Sequence, residues 1–436
     1  MHVMPPSTYA DFLAAKRRTH DTYGHDITVT DVHPMLHAWQ AELVQWACKI
    51  GRAAIWADTG LGKTLMQIEW ARLSGQRSLI IAPLAVCAQT VREAEKVGVA
   101  AAYARNDAEA QGPGLWVTNY ERVAAFNGEG FDAVVLDEAS ILKQSDGKTR
   151  TALIEWASQV NHRLACTATP APNDVQELTS QAEWVGASTR VNMLASYFVH
   201  DSDTGWRLKG HARRPMMRWM STWAVAVRRP SDLGYPDDGY DLPGLDVVGH
   251  LIGSPDLIPD DQLFATDLGG VGGRAKVRRA TLDARVARVA ELVHTEPDEP
   301  WVLWCGLNDE ATALQRLIPG AVNVSGSDSA EDKAARLLDF ADGRIQVLIT
   351  KPSLASFGLN WQHCARMALV GLSDSYEAYY QAIRRCYRYG QSRIVHAHVV
   401  LSDLEGQIAV NITRKERQAA SVLDELVREM RAGHSN

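Results

Sequence analysis

No apolar run in the 436 residues approaches the roughly 18 that a membrane-spanning helix needs. The N-terminus has no secretory leader either, because Lys16-Arg17-Arg18 is not followed by an apolar core. Cysteine is scarce and scattered: the six residues at 48, 87, 166, 305, 364 and 386 contain no Cys-x-x-Cys pair. That spacing excludes a zinc ribbon and a disulfide framework and fits a reducing compartment. Excess positive charge is also missing. The formal net charge of −7 gives the whole chain no field that would draw nucleic acid, although a groove needs only a local one. These absences lead to the expectation of a cytoplasmic chain without membrane contact or structural zinc, long enough for two to three domains.

What is present is alternation. Short β-like runs at 53–57, 78–82, 115–118, 133–136 and 163–167 are separated by helical patterns. A second series follows at 301–305, 321–324, 346–350, 367–371 and 396–401. Strands alternating with helices predict two parallel α/β sheets in tandem. The expected boundaries are an N-terminal extension over 1–35, a first domain over 36–190, an insert over 191–274, a second domain over 275–412 and a C-terminal helix over 413–436.

The insert is uneven in charge. Residues 204–230 carry seven Lys and Arg and no acidic residue, whereas 231–270 carry nine aspartates and no Lys or Arg. The first half reads as a mainly helical segment. Either its cations, Arg213 and Arg214 among them, face phosphates, or its tryptophans pack a core and its charges are solvated or neutralised nearby. It is also the natural site for a protein partner. The acidic, Gly- and Pro-rich half reads as irregular.

Chemistry enters at Ala57-Asp58-Thr59-Gly60-Leu61-Gly62-Lys63-Thr64, between an apolar strand and a helical pattern. A Gly-rich turn opening a helix presents backbone N–H groups to a phosphate. Lys63 then reaches the β- and γ-phosphates and Thr64 holds Mg²⁺. Ala57 stands where the pattern G-x-x-x-x-G-K-[ST] has its first Gly. Downstream, the buried run Ala133–Leu136 ends in Asp137-Glu138. Asp137 is the candidate metal carboxylate, acting through water, and Glu138 the base that orients the attacking water. The strand end Thr167-Ala168-Thr169-Pro170 is placed to sense the γ-phosphate. Three arginines crowd into Arg384-Arg385-Cys386-Tyr387-Arg388. If helical, this stretch sets Gln381, Arg385 and Arg388 on one face, as cations that need an anion opposite.

In this order the motifs resemble helicase superfamily two and, within it, the Swi/Snf-like DNA-dependent ATPases. The most diagnostic stretch is Gln381-Ala-Ile-Arg-Arg-Cys-Tyr-Arg-Tyr-Gly-Gln391, similar to the family's Gln-Ala-x-Asp-Arg-x-His-Arg-x-Gly-Gln. The resemblance implies two RecA-like lobes, ATP with Mg²⁺ between them, and Arg385 and Arg388 as arginine fingers. By the same resemblance Gln40 reads adenine, and Gly358 and Asn360 belong to the nucleotide-facing segment after Ile349-Thr-Lys351. Thr118, Lys143 and Thr350 are then nucleic-acid contacts. Three departures stand out: Ser140 for the family's His, Arg384 for its Asp, and Ala168 where this branch often has Gly. The implied function is an ATP-driven motor on double-stranded DNA, in a bacterium or a virus-infected host cell. A strand-separating DNA or RNA helicase and a nucleotide-gated switch with little turnover are the alternatives.

Overall fold

The structure is a computed structural model that describes residues 21–143, 147–201, 205–253, 277–357, 360–373 and 375–434. It forms two units, 1–236 with 418–436 and 237–417.

In the first unit, β1 (Arg52–Ala57), β2 (Arg77–Ala82), β3 (Ala101–Tyr103), β4 (Gly114–Asn119), β5 (Ala133–Leu136) and β6 (His162–Cys166) are apolar runs. A hairpin follows, β7 (Phe198–Asp201) with β8 (Gly205–Leu208), and then β9 (Ala224–Val227). The sheet is parallel, in the order β3-β4-β2-β5-β6-β1-β9. Burial from both faces explains why β1, β2 and β5 are almost wholly apolar and do not alternate.

The first domain read from sequence stopped at 190, but the sheet does not. β9 pairs with β1 in the register Ala54↔Ala224 to Ala57↔Val227. The insert therefore supplies an edge strand of the first core, and Trp219 and Trp223 are core residues, whereas Trp206 on β8 is only half-buried. Trp223 is fully buried. It meets Trp56 edge-on at 5.9 Å and Trp219 at 5.5 Å. The basic run finds its counter-charges on the C-terminal helix Gly406–His434. Arg213 pairs with Glu425 at 2.7 Å, Arg214 with Glu429 at 2.9 Å, and Arg228 with Asp424. The neighbouring aspartates play a smaller part, through Asp232 with Arg228 at 3.7 Å.

The second sheet contains β10 (Leu245–Ile252), β11 (Trp301–Cys305), β12 (Val322–Asn323), β13 (Val347–Thr350), β14 (Arg366–Val370) and β15 (Val395–Ser402). It too is parallel, in the order β10-β15-β14-β11-β13-β12. β10 corrects the reading of 231–270 as irregular: eight residues pair with β15, from Leu245↔Val395 to Ile252↔Ser402. Its half-exposed edge position and interior Gly249 leave no buried apolar run to announce it. Residues 254–276 lie outside the described residues.

A buried ion pair organises the carboxyl end of this sheet. Arg285, from the helix Leu282–Thr295, meets Glu310 at 2.7 Å with both side chains fully buried. Glu310 also accepts the N–H groups of Gly306 and Leu307, each at 2.9 Å, and Arg285 donates to the Val370 carbonyl at 3.2 Å. Thus one charge pair fastens the ends of β11 and β14. Among the described residues no helix is long and apolar enough to cross a membrane, and no group of three or more His, Cys, Asp or Glu could hold a metal ion.

On β10 and β15, His250 and His398 share a hydrogen bond of 3.0 Å, and His398 stacks on Trp301. Burial, then the neighbouring His250 and His396, pull the His398 pKa down to about 4. Burial and Arg288 lower His250, against Glu291. Between the unfolded-state value near 6.5 and about 4, the unfolded chain binds protons that the folded unit refuses. Stability is therefore full above the unfolded-state value and is lost as pH falls through this window. Thermal melts from pH 7 to pH 4.5 should show a falling melting temperature, with a shallower slope in His398→Gln.

Candidate nucleotide site

β1, buried from Ala53 onward, ends at Ala57, and the helix Lys63–Ser74 begins six residues later. Gly60 (φ 91°) and Gly62 (φ 75°) turn the loop through left-handed backbone, where glycine carries no Cβ penalty. Ala57 still has strand conformation, so its position has no need of glycine and the departure from the motif is harmless. Lys63 Nζ donates to the carbonyls of Ala57 at 2.8 Å and Asp58 at 3.2 Å, folded back over the loop. The Asp58 carboxylate accepts the Thr59 N–H at 2.6 Å. Thr64 follows in the first turn of the helix.

Gln40 is buried. Its Oε1 accepts the His37 N–H at 2.9 Å, and its Nε2 donates to the Leu61 carbonyl at 2.9 Å. In this structure it braces the phosphate loop. A Cβ on Gly62 would lie 2.4 Å from the same nitrogen, a second reason for glycine there.

Asp137 and Glu138 stand just past β5, two strands from β1 across β6. Asp137 is 7% exposed. Burial pushes its carboxyl pKa upward, while a hydrogen bond from Gln67 and the charge of Lys63 pull it back. Gln67 Nε2 reaches Asp137 Oδ1 at 2.7 Å. Sequence reading missed Gln67. Its signal was helical spacing, because a residue three after Thr64 shares its face and looks at the sheet. Glu138 is the one non-glycine residue with positive φ (47°) among the described residues. Thr167 Oγ1, at the end of β6, donates to Glu138 Oε2 at 3.4 Å, and the Thr169 N–H donates to Thr167 Oγ1 at 3.1 Å. The loop 167–170 is thus in touch with the candidate base. Ser140 is buried in the short turn that follows.

In the second unit the arginines lie elsewhere than on a helix face. The helix Tyr376–Ile383 stops before Arg384, and Arg385 and Arg388 occupy the turns beyond it. Arg385 is buried, and its carbonyl accepts the Trp361 N–H at 3.0 Å. Arg388 Nε is buried and makes no hydrogen bond. Burial, then the charges of Arg385 and Arg384, bring the Arg388 pKa down to about 10. Like charges this close disfavour one another's ionised form. Arg384, which stands where the family has Asp, sits over the rings of Tyr380 and Tyr387. Asn360 is exposed; Gly358 lies outside the described residues.

The nucleic-acid candidates are placed unequally. Thr118 is fully buried and donates to the Ala104 carbonyl at 2.8 Å. Thr350 is buried and donates to the Val324 carbonyl at 3.3 Å. Neither side chain faces solvent, because each closes a contact inside its own sheet. Lys143 is half-buried. Arg213 and Arg214 are held by the C-terminal helix, although the Arg214 side chain stays 76% exposed. Sequence reading also missed a cavity of about 220 Å³ at the carboxyl ends of β11, β13 and β14. Arg278 and Lys351 line it, with Ser353 and Tyr379. The Arg278 guanidinium lies close over the backbone of Gly306 and Gly371 and pairs with Glu405 at 3.1 Å.

Two family models match the chain: the SNF2-related domain over 35–186 and the helicase conserved C-terminal domain over 284–390. Together they cover more than half of it, and the chain belongs to the Swi/Snf-like branch of helicase superfamily two, a class of nucleic-acid-dependent ATPases. DNA excision repair protein ERCC-6-like of Mus musculus is 32% identical over 85 residues, and that of Homo sapiens 31%. Each match covers 19% of this chain and 7% of the relative. Among solved structures, the Sulfolobus solfataricus SWI2/SNF2 ATPase core in complex with dsDNA aligns with a TM-score of 0.44 and 17% identity. That alignment covers 93% of this chain and 99% of the other.

Gln67→Leu removes the one side-chain donor described for the Asp137 carboxylate. It should destabilise the first unit by about 1–3 kcal/mol, read by denaturant unfolding. Gly62→Ala places a side chain at a φ of 75° and should push the loop out of its left-handed turn, weakening binding of a fluorescent ATP analogue about tenfold, a change of 1.4 kcal/mol.

Proposed function

We propose that this chain hydrolyses ATP in its first unit and uses the cycle to move along double-stranded DNA or remodel proteins bound to it. The observation that supports this best is the gathering of Lys63, Asp137, Glu138 and Thr167 at the ends of β1, β5 and β6, with Gln67 tying the helix of the phosphate loop to Asp137. Open α/β sheets bind ligands at the carboxyl ends of their strands.

The residues fit Mg²⁺-ATP. A buried carboxylate without a described ion pair lies beside a helix that opens with Lys-Thr. Thr64 and Asp137 would hold the ion, which when bound offsets charge on the β- and γ-phosphates. Lys63 leaves the loop carbonyls for the phosphates. Backbone N–H groups of 59–64 cradle them. Glu138 orients water and takes its proton. Thr167 and Thr169 sense the state of Glu138. Arg385 and Arg388 supply positive charge to the transferred group.

Duplex DNA is contacted chiefly at its phosphates, by the exposed Arg122 in the turn after β4, and by Arg278 and Lys351 in the second unit. Binding therefore weakens steeply with salt. The hairpin β7–β8 keeps strand separation as a second reading, since such an element can stand between parted strands. A strand-displacement assay decides between them.

The primary test is the steady-state ATPase rate without nucleic acid and with duplex DNA, single-stranded DNA or RNA at fixed salt. Stimulation by duplex alone is expected; stimulation mainly by single strands or RNA moves the assignment to an unwinding helicase. Glu138→Gln should lower kcat by about 10²–10⁴-fold, and normal turnover would sink the mechanism. Lys63→Ala should abolish turnover. Arg388→Ala should keep ATP binding and lose about 10³-fold or more in hydrolysis.

A further inference from the structure

Glu138 holds a backbone conformation that a side chain disfavours. Such a residue persists only where its surroundings over-determine it. Its φ is measured from the peptide plane joining Asp137 to Glu138, so whatever holds that plane holds the direction in which Glu138 leaves the chain. One edge of the plane is held by Tyr120. Its hydroxyl donates to the Asp137 carbonyl at 2.7 Å. On either side, the Asp137 N–H donates to the Ile81 carbonyl at 2.9 Å, and the Ile141 N–H to the Glu138 carbonyl at 3.0 Å. The last two are backbone bonds of the sheet and the following turn. Only the first comes from a side chain rooted elsewhere.

That root is the turn Tyr120–Ala125, which starts where β4 ends. β2 lies between β4 and β5, so Tyr120 reaches past the end of one strand to touch the next. Its neighbours are polar and tied to one another. Asn119 accepts the Tyr103 hydroxyl at 2.7 Å and donates to Glu121. Glu121 and Arg122 are exposed, so a ligand at this strand end meets the residues flanking Tyr120. A shift of the turn moves the phenol oxygen, and with it the peptide plane that aims Glu138.

We propose that Tyr120 is a positioning residue that transmits nucleic-acid occupancy of the β4 end to Glu138. This rests on the proposed reading in which Glu138 is the base and Arg122 faces nucleic acid. In the empty state the plane sits as seen here. A phosphate backbone drawn to Arg122 displaces the turn, and the hydroxyl carries the displacement to Glu138, improving its aim at water.

Tyr120→Phe removes the hydroxyl and keeps the ring. The ratio of duplex-stimulated to basal kcat should fall about tenfold, a change of 1.4 kcal/mol by RT ln 10. The KM for ATP, the duplex affinity by fluorescence anisotropy and the melting temperature should stay near wild type. A bond that only supported the fold would lower the melting temperature and leave the ratio alone. An unchanged ratio in a stimulated, folded protein overturns the coupling, as does a loss that saturating DNA restores, which would make Tyr120 a contact. Tyr120→Leu should lose no more of the ratio than Phe does; a loss confined to Leu would assign the effect to ring packing and overturn the role of the hydroxyl. A wild type unstimulated by duplex, single strand or RNA brings down the nucleic-acid-driven reading itself, and the coupling with it.

Discussion

The hydrogen bond from Gln67 to Asp137 is the constraint on which the first unit's site depends. Lys63 and Thr64 belong to the helix after β1, whereas Asp137 and Glu138 follow the end of β5, and β6 separates the two strands. Backbone pairing fixes the strands but not the angle at which the helix crosses them. An amide on the fifth residue of that helix, 2.7 Å from the buried carboxylate, joins the two halves. It also answers the cost of burying Asp137, since a desolvated carboxylate needs a donor or a cation and here receives one of each in Gln67 and Lys63.

The second unit handles buried charge differently. Arg285 and Glu310 leave water entirely and recover the cost by bonding backbone at the ends of β11 and β14. The arginines after Ile383 crowd together instead, and Arg388 has been drawn below its ordinary range by burial and by its own neighbours. One charge cluster is closed upon itself and serves the fold. The other leaves the buried Nε of Arg388 without a hydrogen bond and is suited to an anionic ligand.

Charge in the insert obeys the first pattern more than the second. A run of seven cations without an acid reads, along the chain, as a surface for phosphates. In three dimensions Glu425, Glu429 and Asp424 arrive from some two hundred residues away and neutralise much of it. The aspartates next in sequence lie on another path, part of it along β10. Linear charge patterning shows where counter-ions are needed, but not which segment brings them.

The sequence by itself determined the elements whose information is local. The phosphate loop needs two glycines in left-handed backbone ahead of Lys63, and the buried strands β1, β2, β5, β6, β11, β13 and β14 need continuous apolar runs; both are written in adjacent residues. The helix through Gln381 was legible too, though its end at Ile383 was not, because helix stops depend on what the chain packs against next. Tertiary structure alone decided that 224–227 completes the first sheet and that 245–252 forms an edge of the second, since a short or half-exposed strand is recognised by its partner. It also decided that Thr118 and Thr350 are turned inward, and that Gln67 and Tyr120 converge on Asp137. Those last contacts join residues 70 and 17 positions apart. No periodicity spans such gaps, because the order of strands in the sheet brings them together.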